Sequence, residues 1–213
     1  MEGLVGKVTA FVTRESDRGR ELVLLEHPNA GIQIPAGTVE PGETPAQAVM
    51  REAREETGLD HLSIRRYLGR REYIRGPEWR VIARTTKVYA RPDDATWDFA
   101  RLRIGFWVTL ERTAHGFSQV TYKEMDRWPD PQYRTMEITG WVPDEVVSEG
   151  TRRDFFHLRF AGQSAQRWTT QDGRHCFKVF WAPLHALPPI VFPQDKWLEV
   201  LAEDPTVGPL GCC

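Results

Sequence analysis

At 213 residues, with 40% apolar and 27% charged positions, the chain can build one large domain or an ordinary domain carrying a small second one, and its composition excludes a disordered polymer. A formal net charge of −2 excludes a global attraction for nucleic acid or an anionic membrane, so an anionic ligand must be met by local cations. The opening MEGLVGKVTAFV carries no basic leader, and nowhere do about 18 apolar residues run uninterrupted; the expectation is a cytoplasmic chain with no membrane and no specific nucleic-acid partner.

Residues 5–13 alternate as a strand, SDRGR at 16–20 forms a turn, and 21–25 return as a second strand, a hairpin. A short extended run at 32–35 follows, and Gly37, Pro41 and Gly42 then break regularity ahead of a helix at about 44–57. Thr44 with Gln47 spells a capping box, Pro45 takes the first helical position where its missing N–H costs nothing, and Gly58 supplies the stop. On the helical wheel Ala46, Val49, Met50 and Ala53 share one side while Glu52, Glu55 and Glu56 gather on another. One face packs and the other is acidic.

Beyond the helix, 63–73 reads as a strand, and 84–150 changes character to short strands punctuated by Gly, Pro, Trp and Tyr with no helical period, an inserted all-β module. Strands near 154–160 and 175–181 and a closing helix at about 194–202 complete a mixed α/β order, with a loop expected at 161–173 and a flexible tail at 205–213. The three cysteines, Cys176, Cys212 and Cys213, make no disulfide framework and no zinc spacing. Cys176 sits in an apolar strand pattern and is expected to be a buried structural thiol.

The acidic face is either a solvated cluster of the kind exposed Glu residues commonly form or a metal site. Glu52 and Glu56 at i,i+4 cost a helix about 0.2–0.5 kcal/mol, and two such charges about 5 Å apart repel by roughly 3 kcal/mol at an effective dielectric near 20. A bound divalent cation reverses that sign. Hard carboxylate oxygens without thiolates suit Mg²⁺, with Mn²⁺ as the alternative, held jointly by protein and by the phosphates of a substrate.

Residues 37–59, GTVEPGETPAQAVMREAREETGL, resemble the signature GX5EX7REUXEEXGU of the Nudix hydrolases at each fixed position: Gly37, Glu43, Arg51, Glu52, Glu55, Glu56 and Gly58. Only Ala53 is smaller than the apolar residue usual at its place. The resemblance implies an α/β/α sandwich around a mixed sheet, formed by residues 1–83 and 151–204, with 84–150 inserted. It implies that Glu52, Glu55 and Glu56, with the backbone carbonyl of Gly37, hold Mg²⁺, and that Arg51 and Glu43 pair to orient the helix. The implied activity is hydrolysis of the diphosphate linkage of a nucleoside diphosphate derivative: ADP-ribose, a dinucleotide, a nucleotide sugar or a nucleoside triphosphate. The alternative is a Nudix-like sensor that binds a nucleotide metabolite without cutting it. A prenyl diphosphate isomerase on the same scaffold needs a Cys that no position here supplies.

Within the insert, KVYARPD, LRIGFWVTL, GFSQVTY and ITGWVPDEVV follow the order of a bacterial SH3-like barrel, which they resemble. Phe106, Val108 and Leu110 alternate onto one face, and Phe106, Val108, Val120 and Trp141 are the expected core of a module acting as lid or homodimer contact. Outside the box, Arg70 and Arg71 are expected to meet substrate phosphates and Trp168 to stack on substrate. Asp172 is the one acid of the 161–173 loop; Asp-Gly is also a turn pair.

Overall fold

The computed structural model describes residues 3–128, 130–172 and 175–207. Four strands come first, β1 (Val5–Ser16), β2 (Gly19–His27), β3 (Gly31–Gln33) and β4 (Ala36–Thr38), followed by helix α1 (Pro45–Thr57) and β5 (Leu62–Ile74). Then run β6 (Trp79–Ile82), β7 (Thr86–Tyr89), β8 (Asp98–Leu102), β9 (Trp107–Ala114), β10 (Phe117–Met125), β11 (Arg134–Pro143) and β12 (Val147–Ser148). The chain closes with β13 (Gly150–Phe160), β14 (Arg167–Asp172), β15 (His175–Pro183), a 3-10 turn Gln194–Trp197 and the short helix α2 (Leu198–Ala202). No helix of the described residues is long and apolar enough to cross a membrane.

Two compact units emerge. One gathers Lys7–Arg70, residues 127–130 and the chain from Asp154 onward; the other gathers Arg71–Asp126 and Pro131–Arg153 with the residues before Lys7. The first sheet orders its strands β14-β15-β2-β1-β13-β5, with β3 on β2 and β4 on β1. It is mixed. The Phe11 ring stacks on Phe155, and Thr13 bonds His157, so β1 and β13 advance together and run parallel. Tyr67 meets Phe156 while Ala161 N–H reaches His61 O, so β13 and β5 run antiparallel.

Both faces of this sheet are covered, which explains the unbroken buried run through β1 and β2. Val8, Ala10, Val12, Val23, Leu25, Phe156 and Leu158 pack under Ala48, Val49 and Ala53 of α1. Phe11, Leu22, Leu24 and Phe155, the intervening positions, face Trp197, Val200 and Leu201 on the other side. The helical side expected of Ala46, Val49, Met50 and Ala53 is the packed one, with Ala48 and Thr57 buried beside it.

The second sheet runs β12-β6-β9-β10-β11-β7-β8, antiparallel throughout, around Ile82, Val88, Val108, Val120 and Val142 with Phe106 and Leu110 against them. Phe106, Val108 and Leu110 share one face as their alternation predicts. Gly140 is glycine for lack of room: a Cβ there would stand 2.4 Å from Val88 Cγ1 and 2.8 Å from Phe99 Cζ. Trp141 is buried apart from that cluster, under the Arg112 guanidinium at 5.2 Å.

Three expectations need correction. Residues 167–172, expected as loop, form β14 and pair with β15; RWTTQD is polar because this strand ends the sheet and is only half covered. The expected closing helix splits into the 3-10 turn and five residues of α2. Cys176 is exposed rather than buried: it shares its side of β15 with Lys178, Phe180 and Ala182, and the second cluster covers that side only from Phe180 onward.

Candidate functional site

The box helix is fixed at both ends. Thr44 Oγ1 accepts from Gln47 N–H at 3.3 Å and Gln47 Oε1 accepts from Thr44 N–H at 2.9 Å, the reciprocal cap that the spacing spelled. Gly58 adopts φ 67° and returns its N–H to Arg54 O at 2.7 Å. With Ala48, Val49 and Ala53 buried, the rotation of α1 is set, and Arg51, Glu52 and Glu56 reach β4.

Strand β4 is built to receive them. Gly37 lies opposite Val8 of β1, and Ala10 N–H donates to Pro35 O at 2.9 Å. Positions between bonded pairs turn their N–H groups away from the partner strand; there Ala36 N–H donates to Glu56 Oε2 at 2.9 Å and Thr38 N–H to Glu52 Oε1 at 3.1 Å. A Cβ at Gly37 would stand 1.9 Å from the Glu52 carboxylate. Glycine is required there by the carboxylate.

Arg51 ties the remaining charges. Its Nε and Nη2 donate to the two oxygens of Glu43 at 2.8 and 3.0 Å, a bidentate pair. Its Nη1 donates to Glu52 at 2.9 Å and to Glu55 at 3.0 Å, and Nη2 also reaches the Thr38 carbonyl at 3.0 Å. The hydrogen bond from Arg51 holds Glu43 below the usual carboxylate range, and Glu43 chiefly raises Arg51 above its ordinary value. Burial pushes Glu52 up against the pull of Arg51. The acidic face is therefore graded: Glu52 is 14% exposed in its side chain and Glu55 47%, where the wheel predicted one uniform exposed face.

Among the described residues no three acidic, His or Cys side chains stand together as a preformed metal cage. The donor set nevertheless suits a hard divalent cation, since Glu52, Glu55 and Glu56 offer only carboxylate oxygens and Gly37 lets the Glu52 carboxylate lie against the β4 backbone. Charge neutralisation there is the task Arg51 performs in this structure.

The other expected residues come from strands β5 and β14. Arg70 donates through Nε to Asp154 at 3.0 Å, and Arg71 is exposed farther along β5. Trp168 is half buried, donates from Nε1 to Thr57 O at 2.7 Å at the end of α1, and lies 6.2 Å from Trp181. It borders an open cavity of about 390 Å³ lined also by Gly58, His61 and Ser164. The Asp172 side chain lies outside the described residues, as do Cys212 and Cys213.

Two polar clusters carry no sequence signal. Asp154, 2% exposed in its side chain, accepts from Tyr67 OH at 2.7 Å and from Arg70. On the opposite face, His157 lies between Asp204 Oδ2 at 2.8 Å and Thr13 Oγ1 at 2.7 Å, all three buried. A carboxylate only accepts, so Nδ1–H donates to Asp204 and Nε2 accepts from Thr13. Burial lowers His157 below its usual value despite Asp204; Asp204 is held low by hydrogen bonds from Thr206 and His157, which outweigh its burial.

Among known proteins, a family model described as NUDIX domain matches residues 4–128. Among solved structures, the NUDIX domain of Shewanella oneidensis NrtR complexed with ADP ribose is similar at a TM-score of 0.45 and 12% identity, over 95% of this chain and 89% of that one.

Proposed function

This chain belongs to the NUDIX family, and on that premise we propose that it hydrolyses the diphosphate linkage of a nucleoside diphosphate derivative with Mg²⁺ or Mn²⁺. The observation that carries the reading is the seat of the box carboxylates: Glu52 and Glu56 are each held by a backbone N–H of β4, with a glycine between those two positions that leaves space only for the Glu52 carboxylate. Glu52, Glu55 and Glu56 with the Gly37 carbonyl would hold the metal. When bound it supplies Lewis-acid polarisation of a phosphoryl oxygen and lowers the pKa of a water.

The chain's own residues have separate duties. Glu43 fixes the Arg51 guanidinium, and Arg51 compensates Glu52 and Glu55 until a cation arrives. Glu56 or Glu55 serves as base, with Asp172 the other acid within the sequence's reach. ADP-ribose, dinucleotides, nucleotide sugars and nucleoside triphosphates are the candidate substrates, because the box handles diphosphate and metal while other residues choose the leaving group. A binding protein that does not cut is the second reading; a loss of box glutamates would favour it, and Glu52, Glu55 and Glu56 are all present.

We propose further that residues 84–150 form an inserted module like an SH3 barrel, acting as a lid or homodimer contact, that 1–83 and 151–204 form the core, and that the protein is cytoplasmic. A panel of the four substrate classes, incubated with Mg²⁺ and scored for released products, tests the activity. Cleavage of at least one, abolished by EDTA, supports hydrolysis; tight binding of one with no product establishes the sensor.

A further inference from the structure

The Tyr67, Arg70 and Asp154 cluster stands outside the box, and we infer that Tyr67 and Arg70 form the platform on which the planar base of a nucleotide substrate stacks, held in place by Asp154 as a positioning residue. The inference rests on the nucleotide reading above and names which residues meet the part of the substrate beyond the diphosphate.

The geometry is that of a locked aromatic and a locked guanidinium. Tyr67 is 49% exposed, yet its hydroxyl donates to buried Asp154 Oδ1 at 2.7 Å and its ring rests 5.2 Å from Phe156. Burial, with the carboxylate next, raises the Tyr67 hydroxyl above its usual value, so it stays a donor. Arg70 presents a side chain 44% exposed whose Nε is pinned to the same Oδ1 at 3.0 Å. Residues three apart on a strand face opposite ways; Gly69, at φ 109°, breaks the alternation and lets both reach one acceptor. Two planar π surfaces are thus oriented by one oxygen and each stays about half exposed, which suits stacking on any base.

Asp154 is costly where it stands. Its Oδ2 is buried with no hydrogen-bond partner, and a half-satisfied buried carboxylate is a poor choice for stability alone. Its placement relative to the box follows from register. The offset that relates Phe11 to Phe155 and Thr13 to His157 puts Asp154 beside Ala10, and Ala10 bonds Pro35, the residue before β4. Asp154 shares the α1 face with Phe156 and Leu158. From β4 across β1 and β13 to β5 is three strand spacings, about 14 Å. That is the reach of a nucleoside diphosphate rather than of a diphosphate alone.

Calorimetric titration of the full chain with Mg²⁺ separates the two ends, using ADP as the base-bearing probe and pyrophosphate as the base-free one, each with its bridging oxygen replaced by CH₂ so that neither is cut. Wild type is expected to bind ADP more tightly than pyrophosphate. Tyr67→Ala should weaken ADP at least tenfold and leave pyrophosphate within twofold. Tyr67→Phe, which keeps the ring, should recover most of the ADP affinity, and Asp154→Asn should lose severalfold for ADP alone. Unchanged ADP binding in Tyr67→Ala, an equal loss for both probes, or a wild type that prefers neither overturns the platform. A substrate panel that yields no product overturns hydrolysis and leaves the binding result standing.

Discussion

The two faces of the first sheet hold their charged groups in opposite ways. Under α1, the box carboxylates sit at the rim, each engaged by a backbone N–H or by Arg51, with Glu55 half exposed. On the other face, Thr13, His157 and Asp204 form a buried chain with no exposed member. Charges at a rim can exchange partners for a cation or a substrate. The buried chain meets solvent only through the half-exposed Arg66, 3.6 Å from Asp204, and contributes to stability and to a unique packing. The same sheet thus separates its chemistry from its architecture by face.

The largest effect is expected from His157→Ala, which leaves Asp204 Oδ2 and the Thr13 hydroxyl buried without this partner. Removing one member of such a pair costs about 3 kcal/mol, or roughly 8 °C in melting temperature for a chain of this size. Calorimetry showing less than about 1 kcal/mol would erase the distinction between faces.

Glu56→Gln and Glu52→Gln should do the reverse. Turnover on whichever panel compound is cut should fall by at least about 100-fold, near 2.7 kcal/mol of barrier, with the melting temperature shifted by only a few degrees. Activity retained in both variants would remove the box from the mechanism.

A pH titration of stability sharpens the comparison. His157 is lowered in the fold, so protonation favours the unfolded chain, and stability should decline as pH falls below about 6.5, the unfolded value. Asp204 is also lowered; its contribution is present above about 3.9 and is lost as pH falls toward its folded value. Both erode stability on the acid side. Chemical denaturation between about pH 5 and 7 should show a positive slope that becomes shallower in His157→Ala; an unchanged slope would place the titration elsewhere.

The smallest effect concerns Trp168→Phe. Losing the indole donor to Thr57 O at 2.7 Å should cost about 1 kcal/mol, a melting shift of about 3 °C. A loss of substrate affinity larger than the loss of stability would restore Trp168 as a stacking residue.

How much was legible in the sequence follows the range of the interactions. The cap of α1, its stop and its packed side are local, set by residues three or four apart, and Thr44, Gln47, Gly58, Val49 and Ala53 behave as their spacing predicts. Arg51 and Glu43 pair as the resemblance to the family implied. β14 was missed because RWTTQD has the polarity of a loop and becomes a strand only through β15. Cys176 was misjudged because periodicity along β15 gives two faces without saying how far along the strand each is covered; its own side is covered only from Phe180 onward.

By itself the sequence determined the box helix, its caps and the acidic residues that one turn brings together, since those depend on spacing along a single element. Only the tertiary structure decided that Glu52 and Glu56 are met by β4, that Gly37 yields its space to a carboxylate, and that Asp154 collects Tyr67 and Arg70. Each joins side chains to strands 14 to 87 residues away, and no local pattern encodes the strand order and register that create such contacts.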